Sequence, residues 1–412
     1  MNKQIRTKSI IFLLGFLLSI GMFGVSAQEL KQADDSWAMI PFVKQNKFNP
    51  ILKPKADSVY ADPLTKKEIH WESGHIYNPT AVIKNDEVYL LYRAQSDTKP
   101  PSPSVVGLAK SSDGINFERI SGKPVLYPEY DYEKDGCEDP RIVTLPSGEY
   151  LLMYSGYDGK TSRLCSALSK DLTNWEKLGP VFKDKKYENL WSKSGSVITK
   201  LKNDNFTAEL INFNFNNQND KVKKKFGMFW GDTDIFFATA TLENLLKGNW
   251  ELVLGEIGFP KPVITPRAGL FDSRLCESGP ASIDNSGETL LLYNGMNLKK
   301  NQFGFCSELT SNEYTSGQVQ VKTDKPFEVL HRLDKPFMRV TENYERKGLV
   351  GNVVFIEGMV CFKGKYYLYY GCADSLLAVA VHEVKNPQKI KVISMRSIPF
   401  KVEKDCLDRK AS

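Results

Sequence analysis

Glu149-Tyr150-Leu151-Leu152-Met153-Tyr154-Ser155 is a short apolar-aromatic run that opens on a charged residue and closes on a small polar one. The same form occurs in Glu87-Val88-Tyr89-Leu90-Leu91-Tyr92-Arg93, Lys225-Phe226-Gly227-Met228-Phe229-Trp230-Gly231, Glu288-Thr289-Leu290-Leu291-Leu292-Tyr293-Asn294 and Lys365-Tyr366-Tyr367-Leu368-Tyr369-Tyr370-Gly371. The five segments begin 62, 76, 63 and 77 residues apart. Runs of this length and composition favour strands, and a regular return of strands at such a period marks radially repeated antiparallel sheets. The expectation is an all-β chain, a five-bladed β-propeller that forms a single unit over residues 28–412.

Two of these strands are followed by a second echo, Gly107-Leu108-Ala109-Lys110-Ser111-Ser112-Asp113-Gly114-Ile115-Asn116-Phe117 and Cys165-Ser166-Ala167-Leu168-Ser169-Lys170-Asp171-Leu172-Thr173-Asn174-Trp175, with a weaker one from Phe237 to Trp250. Each reads as a strand, an Asp/Asn turn and an aromatic that fills the gap between sheets. The Asn- and Lys-rich stretch Asn203–Lys224 reads as an exposed loop.

Residues 1–27 have the form of a signal peptide. Lys3, Arg6 and Lys8 precede an apolar stretch from Ile10 to Val25, and Ser26-Ala27 stands before Gln28. No lipid-accepting cysteine lies there, so the expectation is an exported chain, periplasmic or secreted, that is not a lipoprotein. Loss of the leader removes three basic residues and lowers the formal charge from +6 to +3, a balance that does not suggest a nucleic-acid partner. The seven cysteines are scattered and lack a CxxC pair, and several sit inside apolar strands as small buried side chains, although export leaves a disulfide open. The four histidines are equally dispersed, so no metal site is expected.

Chemistry enters at Glu138-Asp139-Pro140-Arg141, directly before the apolar run Ile142-Val143-Thr144-Leu145. Pro140 disfavours the helical region for Asp139 and is expected to hold it extended at the mouth of a strand. In a propeller, polar residues beside the repeats converge on the axis. They are Asn78 and Arg93, Asp139 and Arg141, Lys193, Glu277, and Asp374. Acids, bases and amides ringed by Trp and Tyr suit a sugar, whose hydroxyls need donors and acceptors and whose apolar face needs an aromatic.

At His75-Ile76-Tyr77-Asn78-Pro79, Leu91-Tyr92-Arg93-Ala94, Glu138-Asp139-Pro140-Arg141, Ala167-Leu168-Ser169-Lys170-Asp171-Leu172-Thr173-Asn174-Trp175, Met228-Phe229-Trp230-Gly231-Asp232, Pro266-Arg267 with Phe271-Asp272-Ser273, and Tyr369-Tyr370-Gly371-Cys372-Ala373-Asp374 the chain resembles glycoside hydrolase family 130. That family contains β-mannoside phosphorylases and β-1,2-mannosidases on a five-bladed propeller. The resemblance implies a β-mannoside oligosaccharide as substrate and inversion at the anomeric carbon. It also implies Asp139 as general acid acting through a mannose hydroxyl, with Asn78, Arg93, Arg141 and Asp374 around the ring. It implies no cofactor, with inorganic phosphate as co-substrate only for a phosphorylase.

Phosphorylases must cradle a dianion, whereas hydrolases need a carboxylate that deprotonates water. Here Asn294 stands where many phosphorylases have histidine, and Glu277 lies near the expected phosphate position. Glu209 is a second candidate base. The reading is therefore an inverting β-1,2-mannosidase using Glu277, Glu209 or both. Arg163 and Lys193 keep a phosphorylase open as the alternative, and a silent glycan-binding propeller is the rival from another class. Glu277 could also be no more than a partner of Arg267 or Arg274.

Overall fold

Each of the five repeated segments is a strand, and each is the second strand of a four-stranded antiparallel group in the computed structural model, which describes residues 35–215 and 224–383. The expected leader and Cys406 lie outside the described residues. Contacts divide the chain into Met1–Asp35 and Ser36–Ser412, and the fold concerns the second unit. The first group is His75–Lys84, Glu87–Gln95, Val105–Ser111 and Glu118–Arg119. The second is Gly136–Thr144, Tyr150–Tyr157, Ser162–Ser169 and Glu176–Pro180. In the third, Ser196–Lys202 is followed by Phe226–Trp230, Ile235–Ala240 and Glu251–Leu252. The fourth begins with a broken strand, Leu275–Ser278 and Ser282–Asn285, and continues with Glu288–Met296, Tyr314–Lys322 and Val329–Arg332. The fifth is Val354–Phe362, Lys365–Cys372 and Leu376–Glu383, completed from the other end of the chain by Val43–Lys44, with Val43 opposite Val381. Among the described residues the α-helix is confined to Leu242–Leu246, so the fold is nearly all β. None of their helices is long and apolar enough to cross a membrane.

Second strands are covered on both faces, which is why they read as near-continuous apolar runs: all five residues of Phe226–Trp230 are buried. First strands meet one another instead. Ile142 N–H donates to Thr80 Oγ1 (3.1 Å), Ile198 runs parallel to Ser282, and Thr207 runs parallel to Thr144. Thr207 belongs to Asn205–Ala208, which pairs back on Ser196–Lys202, so the stretch expected to be a loop from Asn203 begins as a hairpin. Residues 216–223 lie outside the described residues.

A repeated polar network pins four of the groups. Tyr92, Tyr154, Tyr293 and Tyr370 occupy the same position of the repeat. Their hydroxyls donate to Glu72 (2.9 Å), Glu133 (2.8 Å), Asp272 (2.7 Å) and Glu345 (3.0 Å), each from the segment just before its group's first strand. Each carboxylate also meets a cation from the group's fourth strand: Arg119 at 2.7 Å, Lys177 at 2.5 Å, Arg332 at 2.6 Å and Lys44 at 2.6 Å. All four carboxylates are buried, and an unpaired charge there would cost several kcal/mol, roughly 3–5 when one partner is removed. The third group departs from this pattern. Trp230 takes the tyrosine's place, packs on Phe182 with centroids 4.9 Å apart, and its Nε1 has no partner among the described residues.

The second echo also folds as a repeat. Asp113 Oδ1 accepts from Ile115 and Asn116 N–H (2.8 Å each), and Asp171 Oδ1 accepts from Thr173 (2.8 Å) and Asn174 (2.7 Å). Phe117 then packs edge-on against Tyr369 of the fifth group (5.6 Å), bridging two sheets as expected.

Candidate active site

The site grows from irregular backbone on the first strands. Asn78 and Asp139 each precede a proline, each has φ of 49°, and each sits at a break in strand register. Asp139 was expected to be extended at a strand mouth; it is left-handed and lies within Gly136–Thr144. The reason is that Pro79 and Pro140 have no N–H for the ladder. A bulge absorbs that loss and swings the preceding side chain off the sheet's alternation. Left-handed non-glycine residues cost about 1–3 kcal/mol each and persist where packing enforces them. Ser194 (62°) and Asp374 (48°) share this conformation.

The side chains form one charged array. Asp139 Oδ1 meets Arg93 Nη1 at 2.9 Å and its Oδ2 meets Lys193 Nζ at 2.8 Å. Lys193 Nζ is also 3.7 Å from Glu277 Oε1, so one cation bridges the two carboxylates and their oxygens stand at most about 6.5 Å apart. Ser194 Oγ donates to Glu277 (2.5 Å). Arg93 reaches Glu138 (2.5 Å) and Ser104 (2.8 Å) and lies over the Tyr77 ring, 4.7 Å from its centroid.

Electrostatics separate the carboxyls. Burial pushes Asp139 up, but Lys193, Arg93 and Arg141 outweigh it and hold the group well below the usual carboxylate range. Burial dominates at Glu277, with Asp232 and Asp139 adding to it against Lys193 and Arg141, and raises that carboxyl to about 7. Burial likewise raises Asp374 to about 6 and Glu357 well above its ordinary value.

Several expected residues have other surroundings. Glu209 lies beyond the Ser196–Lys202 hairpin, where its ion-pair partner is Lys202 rather than any member of the array. Arg163 pairs with Asp158 (2.7 Å) and lines a separate cavity of about 490 Å³ with Phe182, Lys183 and Tyr187. Asn294 is fully buried and spends both ends of its amide on Ile356 (3.0 and 2.8 Å), so it clamps a neighbouring strand instead of facing a ligand. Arg141 is similarly occupied by the carbonyls of Asp139, Ser278 and Gly279 and by Glu357 (3.0 Å). Arg267 binds Asp272 and Arg274 binds Asn312, so neither is the partner of Glu277.

Glu357 was missed. It lies in Val354–Phe362, fully buried, with Oε1 bound by Asn78 Nδ2 (2.8 Å) and Arg141, and Oε2 without a partner among the described residues. A lone acid inside the apolar run Val353-Val354-Phe355-Ile356-Glu357 was the available signal. Asp232, within a motif already noted, accepts from Trp191 Nε1 (2.8 Å). Among the described residues no group of three His, Cys, Asp or Glu is arranged to hold a metal, and the six described cysteines are buried and unpaired.

The family model Glyco_hydro_130, described as beta-1,4-mannooligosaccharide phosphorylase, matches residues 45–390. A 1,2-beta-oligomannan phosphorylase from Thermoanaerobacter is 28% identical over 84% of this chain and 98% of its own. The crystal structure of a glycosyl hydrolase from Bacteroides ovatus is 36% identical over 85% of this chain and 96% of that one, with a TM-score of 0.77. Another solved structure (35% identity, 85% and 96% coverage, TM-score 0.77) is described by the statement that the GH130 family of mannoside phosphorylases contains glycoside hydrolases that target β-1,2 mannosidic linkages in Candida mannan.

Proposed function

Because this chain belongs to glycoside hydrolase family 130, we propose that it is an exported, inverting β-1,2-mannosidase on a single five-bladed propeller, each four-stranded group being one blade. The observation that carries hydrolysis over phosphorolysis is the number of acids in the site. Six carboxyl groups (Asp139, Glu138, Glu277, Glu357, Asp232 and Asp374) gather around three cations (Arg93, Arg141 and Lys193), and the two arginines are already engaged by protein acceptors. A phosphate dianion entering there meets an excess of acids, whereas water meets a base.

Glu277 takes the proton from a water that attacks the anomeric carbon, and a carboxyl near pH 7 suits that task. The bond from that carbon to the leaving oxygen breaks on the opposite face, and Asp139 supplies the proton to that oxygen through a ring hydroxyl. Lys193 and Arg93 hold Asp139 ionised, so sugar hydroxyls must first loosen those pairs and shut out water, which lifts its proton affinity. Asn78 and Asp374 hold the ring, and no step calls for a metal or cofactor.

The signal-peptide form of residues 1–27 supports export, and phosphorolysis gains little outside the cell, where the sugar phosphate is lost to metabolism. The names of curated relatives favour a phosphorylase as the second reading, with Lys193 as its phosphate contact. The test is proton NMR of β-1,2-mannobiose during turnover. The α-anomer of mannose is expected first; an initial β-anomer, or no cleavage of β-mannosides, overturns the proposal.

A further inference from the structure

We propose that the exposed face of Trp191 is the binding platform for the sugar unit on the leaving side of the scissile bond. The inference rests on the mannoside-cleaving reading of the site. Trp71, Trp230 and Trp250 are at most 3% exposed, whereas Trp191 is 48% exposed. An amphipathic ring beside a polar site is what the apolar face of a pyranose seeks.

The position of Trp191 is fixed on three sides. Its Nε1 donates to Asp232 Oδ2 at 2.8 Å, and its ring meets Tyr157 edge-on with centroids 6.4 Å apart. The backbone beside it is pinned by Ser192 N–H to Ser162 O (3.0 Å) and by Gly231 N–H to Lys193 O (2.9 Å). Along this segment the side chains divide. Leu190 and Ser192 line the outer 490 Å³ cavity, while Trp191 turns to Asp232 and Lys193 turns to Asp139. Asp232 in turn acts electrostatically on Lys193 and Glu277. The indole therefore sits on Asp232 two residues before Lys193, held rigidly by its own N–H, and offers a preformed surface at little entropic cost.

The contact is made equally in the bound substrate and the transition state, so its loss should appear in KM. Trp191→Ala should raise KM for β-1,2-mannobiose by about tenfold or more with kcat changed far less, and Trp191→Phe should recover most of it. β-Mannosyl fluoride, whose leaving group has no ring to stack, should be turned over by Trp191→Ala as by wild type. Mannobiose should quench the tryptophan fluorescence of an Asp139→Asn background, and Trp191→Phe should remove that quench. If wild type cleaves neither substrate, the mannosidase reading falls. If it cleaves both and Trp191→Ala keeps its KM for mannobiose, or loses both substrates equally, the platform is wrong.

Discussion

Two kinds of buried carboxylate share this chain, and they differ in how fully they are matched. Glu72, Glu133, Asp272 and Glu345 each meet one tyrosine hydroxyl and at least one cation within a single group. Asp139, Glu277 and Asp374 instead come from different groups and compete for the same few cations. Matched charges fix the sheets in place. Unmatched ones are spread in proton affinity, Asp139 low and Glu277 near 7, and that spread is what acid and base chemistry requires.

The contrast is broken most severely at Asp139. Asp139→Asn keeps the shape and removes the transferable proton, so kcat/KM should fall about 10²–10⁴-fold while the melting temperature holds. Activity within a few-fold of wild type would remove Asp139 as the acid. Glu277→Gln should lose a similar factor in hydrolysis, with azide or formate restoring part of it because these anions attack without deprotonation.

The same residue predicts the pH profile. Asp139 must carry a proton while Glu277 does not, and the free enzyme holds that one proton only below the pKa of Glu277, so kcat/KM should be level up to about pH 7 and fall above it. That limb should vanish in Glu277→Gln; an unchanged limb would assign it elsewhere.

The matched network answers differently. Lys177→Met strips the cation from Glu133 and should lower stability by about 3–5 kcal/mol in denaturant unfolding, with kcat of the folded enzyme near wild type. Loss of activity without loss of stability would erase the distinction. The smallest effect is expected from EDTA, which should leave the rate unchanged; a loss restored by a divalent ion would reveal a metal that the mechanism omits.

The sequence made the second strands legible because burial on both faces turns them into continuous apolar runs around Tyr92, Tyr154, Trp230, Tyr293 and Tyr370. First strands were harder to read. Bulges at Asn78-Pro79 and Asp139-Pro140 interrupt their alternation, and the left-handed turn at Asp139 defeats the ordinary rule for a residue before proline. Asp139, Arg93, Lys193 and Glu277 were found because each lies beside a repeat, and the structure brings them together. Glu357 was passed over as one acid in an apolar strand, since its partners Asn78 and Arg141 are distant in sequence. Local sequence does not reveal that Asn294 bonds the backbone of Ile356, or that backbone carbonyls and Glu357 hold Arg141.

The central claim is that an excess of acids makes this a site for water. It is tested most directly by following β-1,2-mannobiose in phosphate-free buffer and again with millimolar phosphate. The account predicts the same rate of mannose release in both and no mannose 1-phosphate in either. Turnover that requires phosphate and accumulates mannose 1-phosphate would contradict it.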